Sequence, residues 1–127
     1  MKPVQQTKTG KGGNCFSACI ASLLEMETDT VPHFCLTPNW REATNLWLSS
    51  RGLFYMDIRL PGDMRDELVC FWGYHVISGP SPRRKGINHA VIGFKGEIFF
   101  DPHPDGGGLA GGTDFWEYGF LIDKRTL

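Results

Sequence analysis

Residues 7–26 read TKTGKGGNCFSACIASLLEM, a glycine-rich loop followed by a run with a helical pattern. The apolar residues of this run cover a broad face, which predicts a central and mostly buried helix. Asn14 stands where an N-cap is expected, and Cys15 is the first helical residue. The segment therefore presents a thiol at a helix start, where unpaired backbone N–H groups favour the thiolate.

The rest of the chain predicts an α+β fold in a single domain, residues 1–127. A second, amphipathic helix is expected at about 39–50, with Trp40, Ala43, Leu46 and Trp47 on its packed side. Short β-like runs bounded by Gly or Pro follow at residues 53–60, 70–78, 89–94, 97–100 and 118–122. Helices first and strands later is the order of an α+β fold.

The bulk composition excludes several classes of function. Thirteen Lys and Arg residues against fourteen Asp and Glu residues leave a net charge of -1, so neither nucleic acid nor an anionic membrane is an expected partner. No apolar stretch approaches the roughly 18 residues of a membrane span, and no apolar leader is visible. We expect a cytoplasmic protein with its four cysteines reduced, and the oligomeric state stays open.

Cys15 is the candidate nucleophile, with a structural cysteine as the alternative interpretation. The glycines before Cys15 allow a substrate to approach the backbone closely, and the Cys15 N–H can face a developing oxyanion. Cys19 fits the structural interpretation better, because its neighbours are apolar. A zinc site built on both cysteines is disfavoured, since no second Cys or His pair stands at the required spacing. We expect no metal and no cofactor.

His89 is the candidate base among four histidines. It opens a strand that enters a hairpin turned at Lys95 and Gly96, and the second strand of the hairpin ends at Asp101. Residues opposed across an antiparallel pair have Cβ atoms about 4.5–5.5 Å apart, so His89 and Asp101 are expected to touch. The carboxylate would orient the imidazole and stabilise its protonated form.

The other histidines have lesser expected roles. His103 is a substitute base or a supporting group, and with His89 and Asp101 it could hold a metal, which is the weaker use of these residues. His33 and His75 are expected to be structural or surface residues.

Three short motifs resemble one family. GNCFSAC at 13–19 after an upstream Gln, NHAV at 88–91 and FDPH at 100–103 follow the Gln, Cys, His, Asp/Asn order of papain-like cysteine peptidases. They are most similar to the compact bacterial and phage-type members related to bacteriocin-processing peptidases. The resemblance implies a papain-like fold, with an N-terminal nucleophile helix packed on a C-terminal antiparallel sheet of about four to five strands. It also implies an oxyanion-hole role for Gln6, although from the residues alone Gln5 could serve.

The leading functional hypothesis is a thiol-dependent hydrolase or transferase acting on an amide or peptide bond through an acyl-enzyme. Gln6, Asn14 and His103 are the candidates for oxyanion or substrate binding. The alternative is a non-catalytic protein-binding module on the same scaffold, such as a phage or bacterial interaction factor. A binder has no chemical need for Cys, His and Asp together. The basic loop 78–86 is expected to be a solvated hairpin tip, with contact to an anionic substrate as the alternative.

Overall fold

The computed structural model describes residues 1–60 and 73–126. These residues form two α-helices, α1 (Cys15–Leu24) and α2 (Trp40–Ser49), and a five-stranded sheet. The strands are β1 (Leu53–Arg59), β2 (Tyr74–Pro80), β3 (Asn88–Phe94), β4 (Glu97–Phe100) and β5 (Glu117–Asp123). The predicted α+β class and the antiparallel sheet of four to five strands are confirmed. Residues 70–72, predicted to begin a strand, lie outside the described residues.

The last strand completes the middle of the sheet. The spatial order is β1-β5-β2-β3-β4, and each of these pairings is antiparallel. β5 lies between β1 and β2, where Tyr118 is 0% exposed. The end of the chain is thus required to join the β1 edge to the β2–β3 pair that carries His89.

Helix α1 is enclosed by the core, as the sequence predicted. Ala18, Cys19, Ile20 and Ala21 are all 0% exposed, and the helix packs on β2 and β3. The helix ends at Glu25, whose left-handed backbone (φ 58°) lets its N–H reach the carbonyls of the last turn. The buried position of Cys19 agrees with its structural interpretation.

Helix α2 packs on β1, and Trp40, Ala43 and Trp47 pack against the core as predicted, whereas Leu46 does not. Leu46 is 78% exposed, whereas Thr44 and Leu48 are buried. At about 100° per residue, Leu46 lies about 120° around the axis from Trp40, so it cannot share the packed stripe. The prediction counted an apolar residue that the helical period places in solvent.

The predicted turn between β3 and β4 is present. Lys95 and Gly96 have φ values of 53° and 84°, and Phe94 pairs with Glu97 across the turn. Two central residues with positive φ match the right-handed twist of the flanking strands, as in a type I′ turn. Within residues 1–60 and 73–126, no helix has the length and apolar character that crossing a membrane needs.

Candidate functional site

Cys15 lies at the N-terminus of α1, on the wall of a cleft of about 570 Å³. Its backbone N–H belongs to the first turn, where N–H groups have no acceptor within the helix. The loop before it passes closely over itself, because a Cβ on Gly13 would lie 3.1 Å from the Gly10 carbonyl oxygen and 3.2 Å from Gln6 Nε2. The glycines allow the loop to pack against the start of the helix.

Asn14 does not cap α1 with its side chain, so that prediction is wrong. Asn14 Oδ1 accepts hydrogen bonds from the N–H groups of Thr7 (3.0 Å) and Lys8 (2.9 Å), and Nδ2 donates to the Thr7 hydroxyl (2.9 Å). The side chain turns back into the loop because two adjacent backbone donors there satisfy the oxygen fully. Asn14 lines the cleft and holds the glycine-rich loop in place.

Gln6, the other side chain expected near an oxyanion, also lines the cleft. It is 7% exposed, and its Nε2 donates to the Lys8 carbonyl at 2.7 Å. Its Oε1 has no hydrogen-bond partner among the described residues. Gln5 is exposed and does not line the cleft, so Gln6 is the glutamine next to Cys15.

His89 and Asp101 form a buried contact beside Cys15. His89 Nε2 and Asp101 Oδ1 are 2.7 Å apart, and the two side chains are 5% and 6% exposed. The hairpin register predicted that His89 and Asp101 would be directly opposed across the strand pair, but they are not. A β-bulge shifts the pairing between Ile92 and Gly93, so that Ile92 faces Phe100 and the ladder ends there. Asp101 meets the imidazole beyond the paired residues.

Asp101 is held by three donors. Besides His89 Nε2, the N–H of His103 donates to Oδ1 (2.9 Å) and the N–H of Gly108 donates to Oδ2 (2.7 Å). These bonds outweigh the effect of burial and lower the pKa of Asp101. The glycine-dense segment 105–112 therefore supplies a backbone hydrogen-bond donor to the Asp101 carboxylate. Backbone donors carry no side-chain signature, and the sequence offered no sign of this one.

The pKa of His89 is set by burial, by Asp101 and by Cys15. Burial alone would lower its pKa, but hydrogen bonds to Asp101 and to the Cys15 thiol raise the pKa to about 9. Because Nε2 engages Asp101, Nδ1 is the ring nitrogen left for the thiol. Three side chains from the start of α1, the start of β3 and the residue after β4 are thus brought together.

The remaining histidines occupy distinct positions. His103 lines the cleft, with its ring centroid 6.1 Å from that of His89 and its Nδ1 accepting from the Asp105 N–H (3.1 Å). His33, expected to be structural or at the surface, also lines the cleft, and its Nε2 lies 2.9 Å from the Gly12 carbonyl oxygen. It braces the glycine-rich loop from outside. His75 is fully buried in the sheet.

Cys35 is a further cleft residue, which the sequence did not single out. It is exposed, yet partial burial and then the proximity of Cys15 raise its pKa to about 11. Its thiol is therefore protonated at neutral pH. Among residues 1–60 and 73–126, no group of three or more His, Cys, Asp or Glu side chains is placed to hold a metal ion.

Comparison with known proteins finds no protein-family model, no curated protein and no solved structure that matches this chain. The geometry of the cleft is therefore the basis for assigning a function.

Proposed function

We propose that the protein is a thiol-dependent hydrolase or transferase acting on an amide or peptide bond through Cys15, His89 and Asp101. One observation carries the proposal: a buried imidazole lies 2.7 Å from a carboxylate and shares the cleft wall with a thiol at a helix start, which raises the imidazole pKa. A carboxylate fixes the ring and stabilises the imidazolium, and the imidazolium stabilises a thiolate. The opening of this trio on a cleft gives a substrate access to the sulfur.

In the first half of the proposed reaction, the Cys15 thiolate attacks the carbonyl carbon of the substrate. A carbon–sulfur bond forms as an electron pair moves onto the carbonyl oxygen. The Cys15 N–H and the second Nε2 hydrogen of Gln6, two residues that line the cleft, are the donors of the oxyanion hole in this proposal. Protonated His89 then gives its proton to the leaving amine, and the carbon–nitrogen bond breaks to leave a thioester.

In the second half, neutral His89 takes a proton from water or from an acceptor amine. The resulting nucleophile attacks the thioester, and the carbon–sulfur bond breaks to return the Cys15 thiolate and protonated His89. Water gives hydrolysis, and an amine gives transfer. Asp101 holds the ring through both halves and keeps its charge, because its pKa is low.

The proposal includes a papain-like fold and a cytoplasmic location. A helix that brings a thiol against a sheet carrying an imidazole and a carboxylate is the arrangement expected of papain-like peptidases. Cys15, Cys19 and Cys35 are free thiols, which fits a reducing compartment where a catalytic thiol survives. A peptide or other amide is the substrate in this proposal.

Alkylation by iodoacetamide at neutral pH, followed by peptide mapping, tests the proposal. Cys35 serves as an internal control, because it is exposed and its pKa is about 11. We expect Cys15 to react at least about tenfold faster than Cys35, and to lose that advantage in a folded His89→Ala variant, because thiolate is the reactive form. Equally slow labelling of Cys15 and Cys35 in the native protein would favour the non-catalytic binding module.

A further inference from the structure

The mouth of the cleft is unevenly charged. Lys11, Arg41, Arg83 and Arg84 line it, and Glu117 is the one acidic residue among the described residues that do. The whole chain has a net charge of -1. The positive charge is therefore concentrated at the opening that leads to Cys15.

Two of these cations are already neutralised. Arg41 pairs with Asp57 at 2.8 Å and with Glu117 at 3.6 Å. Arg83 pairs with Asp105 at 2.7 Å. These ion pairs link parts of the cleft wall, and they largely neutralise the charge of both arginines within the protein.

Lys11 and Arg84 are different. Both are exposed, and neither forms an ion pair with another residue of the described part of the chain. Lys11 belongs to the glycine-rich loop four residues before Cys15, and Arg84 to the β2–β3 loop five residues before His89. Each of the two loops that lead into the reacting side chains therefore carries to the cleft one cation that pairs with no other residue of 1–60 and 73–126.

We propose that the cleft selects an acidic substrate, a peptide or amide with a carboxylate near the scissile bond, which Lys11 and Arg84 bind. This inference rests on the proposed function and adds the substrate class. Two exposed cations on the wall of a cleft, with no ion pair to another described residue, attract a carboxylate and raise its local concentration near the sulfur. A solvated loop tip, the simpler interpretation of residues 78–86, does not account for a matching cation on the second loop.

A pair of alkylating reagents tests the inference without the natural substrate. Iodoacetate and iodoacetamide react with a thiolate at the same carbon and differ by one negative charge. The ratio of their rates at Cys15 measures the local preference for an anion, and it is independent of the folded fraction because both reagents meet the same protein. His89 is present in every variant, so its own contribution to the ratio cancels.

We expect the iodoacetate to iodoacetamide ratio to fall about tenfold in a Lys11→Gln/Arg84→Gln variant at low ionic strength, since each charge about 6 Å away in water accounts for about threefold. The native ratio should also fall as salt is added. Lys2→Gln is the control for a charge away from the cleft: it removes one positive charge beside Ser22, near the other end of α1, where the Lys2 N–H bonds the Ser22 carbonyl.

The outcomes separate the two proposals. If the ratio is the same in the native protein and the double variant, or if Lys2→Gln lowers it equally, the acidic-substrate inference is overturned while fast labelling of Cys15 still supports the enzyme. If Cys15 reacts with both reagents as slowly as Cys35, the proposed function fails and the inference fails with it.

Discussion

His75 and His89 lie on the neighbouring strands β2 and β3, and both are buried, yet their pKa values move in opposite directions. Burial lowers the pKa of His75, whose Nδ1 donates only to the Gly73 carbonyl (2.9 Å). Burial also acts on His89, but the Asp101 carboxylate and the Cys15 thiol raise its pKa to about 9. Burial by itself therefore makes a histidine neutral, and the partners on its two nitrogens decide whether it carries a charge.

The first test has the largest expected effect. It removes the Asp101 carboxylate, which helps to make the pKa of His89 differ from that of His75. In Asp101→Asn, the rate of iodoacetamide labelling at Cys15 should fall by roughly 100-fold at neutral pH, because the imidazolium loses its counter-charge. The NH2 group of the Asn side chain would also face one of the three hydrogen-bond donors that now bond the Asp101 carboxylate. Two donors cannot bond each other, so the free energy of unfolding should fall by about 1–3 kcal/mol.

Asp114→Asn is the matched control for this substitution. Asp114 is exposed and does not line the cleft. The same change of charge there should leave the labelling rate of Cys15 within about twofold of native, in line with the small effect of exposed charges. A similar loss in both variants would show that Asp101 has no special relation to His89.

The second test compares the two histidines by the pH dependence of stability. An imidazole whose pKa is about 9 in the folded protein and about 6.5 unfolded stabilises the fold fully below pH 6.5, and that contribution is lost as the pH rises through 9. His75 has the opposite sign: its folded pKa is lowered, so the fold loses stability as the pH falls below about 6.5.

Urea unfolding between about pH 5 and pH 9.5 measures both slopes. His89→Gln, which keeps a polar atom near Asp101, should remove a loss of at most about 3 kcal/mol on the alkaline side. His75→Asn, which keeps a donor for the Gly73 carbonyl, should remove the loss on the acid side. Parallel pH profiles for the two variants would contradict the difference between the histidines.

The third and smallest test concerns the loop that supports Asp101. Gly108 has a left-handed backbone (φ 71°) and donates its N–H to Asp101 Oδ2. Gly108→Ala should destabilise the protein by about 1 kcal/mol through its positive φ. It should also slow the labelling of Cys15 by a few-fold, because the donor shifts away from the carboxylate.

Gly106→Ala separates backbone strain from the effect on Asp101. Gly106 has a similar φ (66°) in the same loop, but its N–H bonds the His103 carbonyl. We expect a similar loss of stability there and a native labelling rate at Cys15. Equal slowing in both variants would mean that the loop acts as a whole and that the Gly108 bond has no specific role.

The sequence predicted the parts of the fold that follow local periodicity and turn chemistry. The helix that starts at Cys15 and the turn at Lys95 and Gly96 are set by short-range rules, and both are present. Leu46 shows the limit of such rules, because counting apolar residues without projecting them around the helix axis placed it on the wrong face.

The details of the site depend on interactions that leave no local pattern. The bulge that ends the β3–β4 pairing cannot be read from alternation, and it changes how His89 approaches Asp101. The side-chain oxygen of Asn14 accepts from two backbone N–H groups of the loop and does not cap the helix. This preference depends on how the loop closes. The N–H of Gly108 bonds Asp101 from seven residues further along the chain, and no side chain in the sequence indicates this hydrogen bond.

The burial of residues 16–22 of α1 limits which substitutions the chain can accept. Because seven consecutive residues are buried, the helix can neither slide nor rotate without opening voids, so the position of the sulfur at its start is fixed. The exposed side chains of Lys11 and Arg84 meet no such constraint. Descendants of this chain should therefore acquire new selectivity by exchanging loop residues, while substitutions in the helix stay confined to side chains of equal volume.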